Sequence, residues 1–167
     1  MKKSIMAFAI LFTTLSSFAQ SSDVVDIAIS SKDHTTLVAA VKAADLVGTL
    51  KGKGPFTVFA PTNTAFGNLP KGTLETLLKP ESKTALAGIL TYHVFAGNLD
   101  AAAVVAAIEK GKGKAELTTV NGAKLTASLS GKNVILTDAK GGKATVTATD
   151  LKGSNGVVHV IDAVLLP

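Results

Sequence analysis

The hydrophobic period of this chain changes once, near residue 115, and that change limits the folds open to it. From Ala115 onward, "AELTTV", "AKLTASL", "NVILTD" and "KATVTATDL" are short, rich in Thr and Val, and separated by Asn-Gly, Gly-Lys and Gly-Gly turns. Alternation over a few residues, punctuated by such dipeptides, is the pattern of hairpin-linked strands. Residues 115–166 therefore read as a β-meander returning to a final buried strand, "SNGVVHVIDAVLLP". Before residue 115 the spacing is mostly helical. Helices first and strands later, in a chain with neither a linker nor an internal repeat, predict one domain of α+β class.

The helical half carries its own boundaries. "DVVDIAISS" offers Val24, Val25, Ile27 and Ala28 for burial, and Asp33 is the expected N-cap of "HTTLVAAVKAADLVGTL", with Gly48 expected to end it. Pro80 suits the first turn of "PESKTALAGILTYHVF", whose pattern turns from helix to strand around Tyr92. Asp100 and Gly111 bracket the last helix. Between these helices lies "FTVFAP", a β-type run bounded by Gly54 and Pro61.

Lys2 and Lys3, the apolar run "SIMAFAILFTTL" and the small residues Ser17 and Ala19 form a signal-peptide pattern, with cleavage expected between Ala19 and Gln20. The apolar run is too short to span a bilayer, so the mature chain, residues 20–167, is expected to have no transmembrane segment and to be secreted or periplasmic. It contains no cysteine. Its fold must rest on its core without disulfides, and no thiol is available to carry a lipid at the cleavage site.

The formal charge is +5 and all 17 basic residues are lysine. The lysines sit in turns such as "KGKGP" and "AKGGKA" without aromatics beside them. Base readout leans on the arginine fork and single-strand binding on stacked aromatics, so nucleic acid is not an expected partner. A weak attraction to anionic glycan or lipid surfaces is compatible with this charge.

Catalytic signatures are missing. There is no cysteine nucleophile, no G-x-S-x-G elbow and no phosphate loop of G-x-x-x-x-G-K-[ST] spacing. His34, His93 and His159 form no H-x-x-x-H pair, and no calcium-loop spacing of acids occurs. No metal or other cofactor is expected, and no enzyme. In "VVHVID", alternation places His159 on a strand apolar on both faces, hence inside, where an imidazole can join two buried groups. Its expected partner is Tyr92, His93 or a backbone carbonyl near "FTVFAP".

Three segments carry a family likeness. "FTVFAPTNTAFGNLP" (56–70), "TYHVF" (91–95) and "SNGVVHVIDAVLLP" (154–167) resemble, in order and spacing, the two signature blocks and the intervening Tyr-His motif of the fasciclin domain. The resemblance covers about Asp23 to Pro167 and is strongest toward bacterial secreted members. It implies a wedge of two β-sheets with helices packed around it, and a non-catalytic adhesion or matrix module. Phe56, Phe59, Phe66, Asn155 and His159 read as structural core, with Thr62 or Asn63 capping a short helix.

In animal members of the family, integrin recognition is placed at the Tyr-His region, matched here by Tyr92 and His93, and before the final Asn-Gly, matched by Asp150 and Leu151. Ala148 and Thr149 depart from the acidic and proline positions of that second motif. The same residues have a plainer reading, packing Tyr92 and ending a strand. As loop positions, Asp150 and Leu151 are expected to contribute little to folding. The expected partner is a cell-surface or matrix protein or glycan. A carrier of a small apolar ligand such as a carotenoid is the alternative, and an apolar pocket open to solvent would favour it.

Overall fold

The computed structural model describes residues 21–167. The expected signal sequence and its cleavage site lie outside the described residues. Helices α1 (Val24–Ser30), α2 (Thr35–Ala43) and α3 (Val47–Leu50) lead into strand β1 (Phe56–Pro61). Helices α4 (Asn63–Gly67), α5 (Thr73–Leu77) and α6 (Lys83–Tyr92), strand β2 (Val94–Ala96) and helix α7 (Ala101–Lys110) follow. The meander comes last: β3 (Lys114–Thr118), β4 (Lys124–Ser130), β5 (Asn133–Thr137), β6 (Lys143–Gly153) and β7 (Gly156–Ile161). The class is α+β.

The strands join in the order β2-β1-β7-β6-β5-β4-β3. Strand β6 is shared between two halves. Its first residues pair with β5, and from Val146 onward it pairs with β7. Register shifts lie between Val146 and Ala148 and between Ala148 and Leu151. Such bulges bend a strand and raise its twist, which turns one ladder into the two sides of a wedge. At the centre, β1 and β7 run parallel, with Phe59 opposite His159. Both strands are buried from their second residue onward, as runs apolar on both faces but for Thr57 and His159 require.

Alternation along β1 divides the core. Phe59 faces a cluster with Tyr92, Phe95, Ile108, Leu125, Leu136 and Ile161, between α7 and the meander. Val58 and Ala60 face the other cluster, with Val25, Leu37, Phe66, Leu86 and Leu90 from the early helices. Phe56 is half-buried at the edge of that second cluster.

Local chemistry sets most boundaries. Thr62 caps α4 by accepting from the Ala65 N–H, and Asp100 caps α7 by accepting from Ala103. Gly111 follows α7 as its C-cap. Two expectations fail. Asp33 does not cap α2; it lies in a 3₁₀ turn, Lys32–His34, capped by the Ser31 hydroxyl. The N-terminus of α2 is satisfied from a distance, by Asn63 Oδ1 accepting from the Thr36 N–H at 2.9 Å. Asn63 also donates to the Lys32 carbonyl, so the Thr-Asn pair after β1 serves two helices. Gly48 ends nothing: α2 stops at Ala43 and Gly48 lies within α3.

Candidate functional site

Tyr92 and His93 stand where α6 passes into β2, and both point inward, at 0% and 1% exposure. The Tyr92 hydroxyl donates to the Lys124 carbonyl at 3.1 Å and accepts from the Ala139 N–H at 3.3 Å, tying α6 to β4 and to the β5–β6 turn. His93 Nδ1 lies 2.8 Å from the Ile89 carbonyl, to which it donates, leaving Nε2 to accept from the Leu165 N–H at 3.0 Å. Burial pushes the imidazole down to about 4, against hydrogen bonding to Ile89. These two residues stitch the interior, and neither side chain reaches the surface. The plainer expectation, that they pack the interior, describes their placement here.

His159 is equally interior, at 1% exposure, and stacks on Phe59 with ring centroids 5.4 Å apart. It bonds neither Tyr92 nor His93. Nε2 donates to the Leu99 carbonyl at 2.7 Å, and Nδ1 accepts from the Asp150 N–H at 3.3 Å. Leu99 is held against β1 in turn, because its N–H donates to Thr57 Oγ1 at 2.8 Å and that hydroxyl donates to the Gly97 carbonyl. The β2–α7 connection is thereby fixed to β1, β7 and β6 at once.

Asp150 is the surface end of this network, and the expectation that it contributes little to folding is corrected. Its carboxylate accepts from the Ala101 N–H at 2.8 Å, satisfying an orphan donor at the start of α7. Its backbone is left-handed, with φ 59°, a conformation that Asp tolerates better than most side chains. Leu151, the next residue, remains 40% exposed. The whole of 147–152 on β6 is exposed, yet the bulge is pinned from behind by His159 and α7. The structure therefore joins Asp150 to His159, and separates the Asp150–Leu151 pair from Tyr92 and His93.

Asn155 organises the opposite end of β7. Its side chain accepts from the Val24 N–H and donates to the Leu50 and Gly52 carbonyls at 2.7 and 3.0 Å. The chain approaches so closely here that a Cβ on Gly54 would meet the Asn155 carbonyl oxygen and one on Gly156 the Phe56 carbonyl oxygen. Lys51 bridges Asp23 and Asp26 at 2.9 and 2.7 Å, holding α1 in place.

Under α1 and α2 lies an apolar cleft lined by Val25, Ile29, Leu37, Val41, Phe59 and Leu90, with a cavity volume of ≈ 40 Å³. Nearby, His34 is buried; its Nδ1 meets the Ser31 hydroxyl at 2.7 Å, and its Nε2 has no partner among the described residues. Among the described residues, no group of three or more His, Cys, Asp or Glu is placed to hold a metal ion. No helix there is long and apolar enough to cross a membrane. Thr57 and Leu99 carry no local signal, and Asn63, expected as a possible cap of its own helix, serves α2 instead, because each acts through partners at least 27 residues away.

A bulged wedge built around β1 and β7, with its Tyr-His and Asn-Gly motifs tying separate segments together, defines an α+β class of domain. The fasciclin-domain model matches residues 32–167, and the chain belongs to that family. It is 49% identical over 144 residues to Protein sll1483 of Synechocystis sp., covering 86% of this chain and 73% of that protein. Over 153 residues it is 37% identical to immunogenic protein MPB70 of Mycobacterium bovis, covering 88% of this chain and 70% of that one. A solved FAS1 domain pair from the insect cell adhesion molecule fasciclin I shares the fold, with a TM-score of 0.77 at 18% identity. The match covers 87% of this chain and 51% of that one, about half the pair.

Proposed function

We propose that the protein is an exported, single-domain, non-catalytic adhesion module, and that residues 147–152 on β6 contact a cell-surface or matrix component. The observation that carries this reading is the pinned bulge. An exposed apolar side chain, Leu151, sits on a backbone held by His159 and by the start of α7. A preformed strand segment loses less entropy on binding than a free loop. Membership in the fasciclin-domain family supports the same reading.

Two observations weigh against other classes. His93 and His159 have both ring nitrogens committed to backbone groups, and the Ser31 hydroxyl beside His34 caps a turn. That leaves little for general-base chemistry. The cleft under α1, at ≈ 40 Å³, holds two or three waters, whereas pockets for extended organic ligands run to roughly 300–1,000 Å³. A cleft of that size does not favour the carrier reading.

The test uses the mature protein immobilised on a surface over which host cells and their extracellular polymer are passed. Leu151→Ser is expected to fold normally and to lose retention. Undiminished retention by the folded variant would remove residues 147–152 from the contact.

A further inference from the structure

At the pole where the α3–β1 segment, the end of β2 and the β6–β7 turn converge, an open groove of ≈ 700 Å³ runs between Lys51, Lys53, Asn98, Lys152, Ser154 and Asn155. Its chemistry differs from that of the apolar cleft. Glycines 52, 54, 153 and 156 line it and leave it free of side chains at four positions. Two of these glycines cannot acquire side chains without striking backbone oxygens, so the trough is built into the fold.

The charge in the groove is one-sided. Lys51 is outweighed by Asp23 and Asp26, which leave one negative charge at the edge of the groove, but Lys53 and Lys152 are exposed and make no ion pair among the described residues. The nearby Asp150 carboxylate is occupied at the α7 N-terminus. The Asn98 amide and the Ser154 hydroxyl have no side-chain hydrogen bond among the described residues, although Ser154 is fixed through its N–H to the Ser22 carbonyl. Two ammonium groups free of ion pairs, beside uncommitted amide and hydroxyl groups, suit a ligand carrying both carboxylates and hydroxyls. No aromatic ring lines the groove, so stacking on neutral sugars or bases contributes nothing here.

We infer that this groove binds a carboxylated polysaccharide, a chain of uronic-acid units, with Lys53 and Lys152 pairing its carboxylates and Asn98 and Ser154 its hydroxyls. The inference gives the adhesion reading a partner class and rests on it, while using residues other than Leu151. Contacts of this kind are weak individually and screened by salt, so affinity comes from repeated engagement along the polymer.

The experiment titrates isotope-labelled protein with an oligogalacturonate and, separately, with a neutral dextran oligomer, following amide resonances. The expected result is a set of shifts confined to Gly54, the Asn98 side chain, Gly153 and their neighbours, with oligogalacturonate alone and fading at high salt. Lys53→Ser with Lys152→Ser should weaken binding about tenfold, about 1.4 kcal/mol for the two sites together. Lys140→Ser with Lys143→Ser removes the same charge at the opposite end of β6 and should change binding by less than about twofold. Equal weakening by both pairs would reduce the effect to net charge and overturn the site, as would equal dextran binding or no shifts at all. Retention through Leu151, measured separately, distinguishes failure of this groove from failure of the adhesion reading.

Discussion

His93 and His159 are buried to the same degree and each commits both ring nitrogens to backbone groups, but they fasten different things. His93 joins the end of α6 to the C-terminal segment at Leu165, and none of the groups in that knot belongs to an exposed residue. His159 joins the β2–α7 connection to the β6 bulge, and through Asp150 its knot reaches the surface. The first knot serves the fold alone. The second makes the shape of an exposed segment depend on a buried group, which allows a scaffold to display a contact without a flexible loop.

Breaking the interior junction of α6 and β2, where Tyr92 stands beside His93, should have the largest effect. Tyr92→Ala removes a fully buried ring and two hydrogen bonds, at a cost on the order of 4 kcal/mol. Tyr92→Phe keeps the packing and strands the Ala139 N–H and the Lys124 carbonyl, costing on the order of 1–2 kcal/mol. Denaturant titration of the pair checks both. A Tyr92→Ala protein as stable as the parent would show that the α6–β2 junction is not a keystone.

Acid should act on the same junction. The His93 pKa falls from 6.5 to about 4 because burial disfavours the imidazolium. Between these values the unfolded chain binds more protons than the folded one, so stability is full above about pH 6.5 and declines as pH falls. By about pH 4 the loss approaches 3 kcal/mol, taking about 1.4 kcal/mol per pH unit. Burial lowers the His34 pKa too, adding to the slope in the same direction. His93→Gln should flatten the stability profile between pH 6.5 and 4 relative to the parent; an unchanged slope would contradict the assignment to His93.

Much of the scaffold was legible from sequence because it is written locally. The turn dipeptides of the meander, the Thr62 and Asp100 caps and the apolar runs of β1 and β7 each act within a few residues of themselves. What was not legible is tertiary. The α2 cap is Asn63, 27 residues from the donor it satisfies, and no pattern around Asp33 announces that. The partners of His159 come from segments 60 and 9 residues away. Asp150 looked like an idle loop position because its helix contact, at Ala101, lies 49 residues earlier in the chain. The exposure of Leu151 and the burial of Tyr92 and His93 follow from the same three-dimensional pairing, which residue type alone does not rank.

The surface knot should give smaller effects that sharpen the contrast. Asp150→Ala leaves the Ala101 N–H without its acceptor and puts alanine into a left-handed backbone, for a cost of about 1–2 kcal/mol. Asp150→Asn keeps an acceptor oxygen and tolerates that backbone, so its cost should stay within about 0.5 kcal/mol. Thermal unfolding of the two variants is the check. Equal losses would mean that the negative charge, rather than the acceptor and the backbone conformation, is what Asp150 supplies to α7.

The coupling of a buried histidine to an exposed segment is tested most directly by amide hydrogen exchange at Asp150. Donated to His159 Nδ1, this N–H should exchange with strong protection although its residue is exposed, and His159→Gln should erode that protection more than it erodes protection at Leu165. An Asp150 amide that exchanges in the parent as freely as an unbonded loop amide would contradict the pinned bulge, and with it the claim that this protein displays Leu151 on a fixed strand.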